Sequence, residues 1–283
     1  MNPGAERRNS ARRHTTIKNV TMNEHRTRTD YQVEAGVATI TLQRPEALNA
    51  FDAALRRELL AQIQRAEGDD GVRVVVIAGG AKAFSVGADL KEPYNPPHEK
   101  VEGLIVEEYK PILDAIAGSA KPYVAAVQGV AAGIGMSVAL ACDLMLMAGG
   151  AYLYAAFAPI GLVPDGGATW HLVHAMGYKR AYQAIIEGRK ISAAECLALG
   201  IANQVVESDD FAAAAFAYAR GLAARAPLAL RYSKQLARSA MCTTLDACIR
   251  DEAALQNLTI TSRDAREAVQ AFFEKRQPIF EGR

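Results

Sequence analysis

Cysteine is scarce in this 283-residue chain, and Cys142, Cys196, Cys242 and Cys248 have neither metal-site spacing nor the density of a small disulfide scaffold. They read as reduced thiols of a cytosol-like compartment, with Cys142, inside an apolar stretch, as a buried structural thiol. Tryptophan occurs once, and no basic stretch is interleaved with aromatics in the manner of a nucleic-acid surface. No apolar run approaches the roughly 20 residues of a membrane span, and no secretory apolar segment is present. A large charge of one sign is missing too, since 32 Lys+Arg face 31 Asp+Glu for a net +1. The expectation is a cytoplasmic protein with neither a nucleic-acid nor a membrane partner.

The charges are unevenly placed. Residues 1–28 hold Arg7, Arg8, Arg12, Arg13, Lys18, Arg26 and Arg28 against only Glu6 and Glu24, a balance of +5 that leaves −4 for the rest. This stretch has no apolar face at helical spacing, so it reads as a flexible basic leader rather than a targeting helix. With 50% hydrophobic residues, the remainder is large enough for one substantial core and a smaller helical appendage. We place the core at 29–210 and the appendage at 211–283, because Ser208-Asp209-Asp210 is a break and a capping signal.

Residues 31–42 alternate as a strand pair turning at Gly36, and Asn49 is positioned to cap a helix over 50–65. A short buried strand follows at 72–78, a loop at 82–89, prolines at 93, 96 and 97, a helix over 101–117 and a strand at 123–127. Gly129 and Gly133 precede a helix over 134–142 and a strand over 143–147. The recurring strand, loop and helix predict an α/β fold. Ser192 and Glu195 form the sequence of a capping box, and apolar residues beyond Phe211 recur at helical intervals.

Two segments are candidates for chemistry. In Lys82-Ala83-Phe84-Ser85-Val86-Gly87-Ala88-Asp89-Leu90-Lys91, a glycine beyond an apolar strand admits close ligand approach, and adjacent amides can hold a developing negative charge. In Gly129-Val130-Ala131-Ala132-Gly133-Ile134-Gly135-Met136-Ser137, a small-residue turn opens a helix whose first amides lack acceptors. The latter is neither a phosphate loop nor a dinucleotide fingerprint. His14, His25, His98, His171 and His174 form no ligand cluster, so no metal is expected.

Together these segments resemble the enoyl-CoA hydratase/isomerase, or crotonase, family. So do residues 44–50, 72–91, 122–143, 160–167 and 199–202, and the ending Ala271-Phe272-Phe273-Glu274-Lys275-Arg276. The resemblance spans about residues 30 to 280 and implies an α/β spiral of ββα units with C-terminal helices that build trimers, two of which stack into a hexamer. It places an oxyanion hole on the backbone amides of Ala88 and Ile134, Ile134 standing where the family usually has glycine. It places CoA contacts on Ala47, Leu48, Ala88, Lys91, Phe272, Lys275 and Arg276. Coenzyme A arrives as part of the substrate, and no separate cofactor is implied.

The two glutamates of a hydratase fall on Ser137 and Phe157, neither of which is a carboxylate. The carboxylate that stands nearby in sequence is Asp165, in Ile160-Gly161-Leu162-Val163-Pro164-Asp165-Gly166-Gly167. This segment resembles family isomerases, including ring-opening isomerases of phenylacetate metabolism, whose aspartate at this place is an acid/base candidate. In the halobenzoyl-CoA dehalogenase branch the same place supplies a nucleophile. The local alternative is an Asx turn or an N-cap. Met136, Ser137, Phe157, Leu162 and Trp170 are candidates for a dry acyl pocket, with core packing as the alternative for each. The favoured expectation is an enoyl-CoA isomerase with Asp165 as acid/base. A hydratase and a non-catalytic acyl-CoA-binding oligomer stand beside it.

Overall fold

The computed structural model describes residue 1 and residues 27–92, 100–207 and 209–283. Most of the basic leader, the proline cluster at 93–97, His14, His25, His98 and Ser208 lie outside the described residues.

The chain opens with the hairpin β1 (Thr29–Glu34) and β2 (Val37–Leu42), turned by Ala35 and Gly36, and continues through α1 (Ala53–Gly68). Three strand pairs follow, each separated from the next by helix. The first is β3 (Val74–Ala78) and β4 (Ala83–Ser85), leading to α2 (Val101–Leu104), a π-helical turn (Ile105–Tyr109) and α3 (Lys110–Gly118). The second is β5 (Tyr123–Val127) and β6 (Val130–Ala132), leading to α4 (Gly133–Ala141). The third is β7 (Leu144–Ala148) and β8 (Tyr152–Tyr154), leading to α5 (Ala168–Met176) and α6 (Tyr178–Glu187).

The first strand of each pair joins one sheet and the second joins another. The larger sheet runs β1-β2-β3-β5-β7-β10, with β10 at Gln204–Val206, and the smaller runs β4-β6-β8-β9, with β9 at Lys190–Ser192. Except for β1–β2 and β8–β9, all pairings are parallel. The path is therefore the expected spiral of ββα units.

Burial on both faces explains the unbroken apolar runs of β3 and β5. Val75, Ile77, Tyr123, Ala125 and Val127 enter the core between the sheets, while Val74, Val76, Val124 and Ala126 face the other way. There they meet Phe211, Ala215, Ala219 and Ala223 of α8 (Phe211–Ala223). Asp210 caps α8 by accepting from the Ala213 N–H at 3.0 Å. Past it, α9 (Pro227–Ala240) and α10 (Leu245–Ile260) bury no apolar residue within this chain, and α11 (Arg263–Glu274) completes the fold.

Three local expectations are corrected. Asp52, not Asn49, caps α1, accepting from the Leu55 N–H at 2.8 Å. Two short strands, β4 and β6, occupy stretches expected as loops, since three residues are too few to show a period. Ser192 caps α7 (Ala193–Ala198), but the Glu195 carboxylate turns to Arg189, held at 2.7 and 2.8 Å, instead of closing a capping box.

Helix α9 is fastened by Lys234 and Arg238, which share one carboxylate and also reach the carbonyls of Ile116, Lys121 and Ala141. Asp143 accepts from the Tyr123 N–H at 2.9 Å and pairs with Lys234 at 2.8 Å and Arg238 at 2.7 Å. The Lys234 side chain is enclosed and its ammonium also donates to the Ile116 and Lys121 carbonyls at 2.9 and 3.0 Å, so Asp143→Ala leaves a buried cation with neutral acceptors and no counter-charge. Such a loss costs about 3 kcal/mol or more, and urea unfolding is expected to show a drop of that size.

Candidate active site

The two candidate amide donors lie just past the carboxyl ends of β4 and β6, Ala88 in the turn after β4 and Ile134 at the start of α4. Phe51 N–H donates to the Gly87 carbonyl at 2.8 Å, and Asp89 N–H donates to the Phe51 carbonyl at 3.0 Å. In this parallel bridge the bonding groups flank Ala88, so the N–H of Ala88 points to the opposite side. Gly87 adopts φ +98°, and a Cβ there would fall 3.0 Å from the Ala132 oxygen and 3.4 Å from the Ile134 nitrogen. Only a residue without a side chain lets the two backbones approach this closely. Ile134 is the second residue of α4, so its N–H has no intrahelical acceptor. The β-branched side chain at 134 leaves the amide in place and is itself buried.

The loop bearing Ala47 and Leu48 is knitted to the same segment. Val86 N–H donates to the Leu48 carbonyl at 3.2 Å, and the Asn49 side-chain amide donates to the carbonyls of Ala83 and Phe84 at 3.1 Å. Arg44 reaches Asp89 at 2.8 Å, and the Arg44 guanidinium helps hold that carboxyl below its ordinary range, after the Lys91 N–H bond. Lys91 is exposed two residues farther on. These clamps were outside the sequence reading, although Arg44 and Asn49 belong to a segment that carried the resemblance.

Asp165 lies over α4. The Ser137 hydroxyl, wholly buried, donates to the Asp165 carbonyl at 2.9 Å. A Cβ on Gly166 would meet Ile134 Cδ1 at 2.3 Å and Ser137 Cβ at 2.8 Å. The Asp165-Gly166 peptide is therefore pressed onto the helix that presents the Ile134 amide. Asp165 Oδ1 is buried with no hydrogen-bond partner among the described residues. Burial drives its pKa up to about 6, opposed by a bond from its own backbone. Nearby Tyr109 is pushed up to about 12, first by burial and then, against the pull of Arg56, by the Asp165 charge. Tyr109 stands between Glu108 and Lys110 with nothing in the sequence to mark it; the π-helical turn is what ends on it.

The expected acyl cluster divides. Met136 and Phe157 belong to the main core, and Ser137 is enclosed and committed to the Asp165 backbone. Leu162 and Trp170 are 56% and 43% exposed, in the loop before Asp165 and on α5. They do not close over Met136 within one chain. His171, behind Gly167, is pushed down to about 4 by burial and by Arg238.

Phe272, Lys275 and Arg276 are not brought to this site by the contacts of a single chain. Phe272 is 78% exposed, and Arg276 is paired with Glu267 and Glu274. The tail beyond them is fixed by Arg73, which donates to the Phe280 carbonyl at 2.8 Å at the amino end of β3, opposite the end that leads to Ala88.

The enoyl-CoA hydratase/isomerase family model matches residues 32–283. The chain belongs to that family. A protein of Rhodobacter capsulatus named "probable enoyl-CoA hydratase" is 40% identical over 253 residues, covering 89% of this chain and 97% of that one. The 1,2-epoxyphenylacetyl-CoA isomerase of Escherichia coli is 37% identical over 256 residues, with the same coverage of 89% and 97%. Among solved structures, an enoyl-CoA hydratase from Bacillus anthracis superposes with a TM-score of 0.86 at 29% identity, covering 90% of this chain and all of that one. The ββα spiral is thus the crotonase fold, and family membership implies an acyl-CoA substrate. No helix among the described residues is long and apolar enough to cross a membrane.

Proposed function

We propose that this family member is an enoyl-CoA isomerase that moves a proton between acyl carbons through a thioester enolate. The Ala88 and Ile134 amides stabilise the enolate oxygen, with charge-directed donors strengthening as the negative charge develops. Asp165 removes the proton and returns it. The carrying observation is the buried, unpartnered Asp165 Oδ1 beside α4, at a site where positions 137 and 157 hold no carboxylate. A base with a pKa near 6 is ionised at neutral pH yet able to give the proton back.

The enzyme binds CoA along Ala47, Leu48, Ala88 and Lys91. Phe272, Lys275 and Arg276 contribute from a neighbouring subunit of a trimer, or of two stacked trimers. The exposed apolar residues Leu245, Ile249, Leu258 and Ile260 on α10 support that assembly. Similarity to the epoxyphenylacetyl-CoA isomerase supports an aromatic or cyclic acyl group. The relative from Rhodobacter favours a second reading, hydration of a 2-enoyl-CoA.

Turnover of matched 2-enoyl-CoA, 3-enoyl-CoA and ring-epoxidised aromatic acyl-CoA, with products resolved by mass spectrometry, separates the two. Isomers of unchanged mass are the expected products. A product heavier by one water supports the hydratase. The isomerisation rate is expected to rise with pH through about 6 and then level, as Asp165 loses its proton; a rate flat from pH 5 to 8 contradicts Asp165 as the base.

A further inference from the structure

A proton-transfer carboxylate must be both dry and fixed, and the Asp165 segment has few holds of its own. It follows the exposed residues Leu162 and Val163, and the two glycines after it adopt φ +57° and +80°. Its carboxylate Oδ1 has no hydrogen-bond partner among the described residues. What secures its peptide from outside the segment is α4: the Ser137 Oγ donates to the Asp165 carbonyl at 2.9 Å, a far better distance than the 3.5 Å to the Gly133 carbonyl one turn back.

We infer that Ser137 is a positioning residue, whose hydroxyl ties the Asp165-Gly166 peptide to α4 and whose small size leaves room for that peptide. The inference rests on the reading of Asp165 as the proton-transfer group. Two independent contacts carry it. The first is the hydrogen bond, made in a place with no exposure to water, so the hydroxyl has no alternative solvent partner. The second is the seam at Gly166, where even one added carbon would come within 2.8 Å of Ser137 Cβ and 3.1 Å of its Oγ.

Without the Ser137 hydroxyl the Asp165 carbonyl keeps only the local bond from the Ala168 N–H at 3.1 Å, so the tie to α4 is lost, the segment lifts, and water reaches Oδ1. The titratable neighbours do not mimic that effect. Tyr109, from the π-helical turn, stays protonated up to about 12, and Arg56 beside it is matched by Glu92 and Glu108. His171, on α5, is neutral above about 4.

The test is a carbon-13 NMR titration of the side-chain carboxyls in the full-length protein, its Ser137→Ala variant and an Asp165→Asn variant that assigns the signal. Thermal unfolding alongside checks that each is folded. In the parent, one aspartate is expected to titrate near 6 and to vanish in Asp165→Asn; in Ser137→Ala it moves at least half a pH unit towards the ordinary value. With a substrate the parent isomerises, Ser137→Ala is expected to lower kcat about tenfold while KM stays within twofold, with the acid limb of the pH profile shifted in the same direction. An unmoved signal in folded Ser137→Ala, or no aspartate titrating near 6 in the parent, overturns the inference. Isomerisation that survives Asp165→Asn instead defeats the proton-transfer reading, while the titration still decides whether Ser137 seats this carboxylate.

Discussion

Replacing Asp165 with asparagine is expected to lower acyl-carbon proton transfer by about a thousandfold, within the range that a positioned acid/base contributes, while making the folded protein more stable above pH 6. The two effects have one cause. The carboxylate is held where water reaches it poorly and where its Oδ1 has no partner, so ionisation opposes folding. Because its folded pKa, about 6, lies above the ordinary 3.8, the native state binds the proton more tightly than the unfolded chain. The stability linked to this group is full below about pH 4 and is lost as pH rises through about 6. Asparagine has nearly the same shape and carries no charge. Allowing for screening at a partly exposed residue, the gain at neutral pH is about 1–2 kcal/mol. Urea unfolding at pH 4 and pH 7 should show the variant gaining on the parent only at the higher pH. A variant that loses activity and stability together contradicts this account of the site.

The second large effect is expected at Gly87. Alanine there must adopt φ +98° and place its Cβ 3.0 Å from the Ala132 oxygen and 3.3 Å from Gly133 Cα. The strand leading to Ala88 and the turn leading into α4 are then forced apart, and with them the two N–H donors. Oxyanion donors work through placement, and misdirecting one costs about a hundredfold to a thousandfold in kcat. Acyl-CoA affinity should change much less, because the ground-state thioester oxygen carries little charge and the Ala47-Leu48 loop is unaltered. Steady-state kinetics with equilibrium binding measures both. A Gly87→Ala protein with parental kcat would show that these amides do not form the hole.

The alternation of strands and helices could be read from residue patterns because β3 and β5 are apolar on both faces and α4 is apolar all round. The strands β4 and β6 could not, being three residues long and defined by partners across a second sheet. Asn49 looked like a cap because asparagine is common there, yet its left-handed backbone and buried amide serve a long-range clamp to Ala83 and Phe84. For the site, motif similarity pointed to the Gly87-Ala88 and Gly133-Ile134 segments, which the fold does bring together. The sequence offered no sign that Ser137 faces the Asp165 carbonyl, 28 residues away, since a serine inside an apolar helix fits a cap, a pocket or a core equally well. Nor could it divide Met136 and Phe157, which pack in the core, from Leu162 and Trp170, which lie at the surface. That division depends on tertiary packing, which brings together residues far apart in the chain.

The most direct test of Asp165-driven carbon proton transfer is to incubate a 3-enoyl-CoA in deuterated water with the parent and with Asp165→Asn, and to follow both by proton NMR. The account predicts double-bond migration for the parent, with deuterium entering an acyl carbon only as far as the proton on Asp165 exchanges with solvent before its return, and neither change for the variant. Deuterium exchange or hydration proceeding at the parental rate in Asp165→Asn would contradict it.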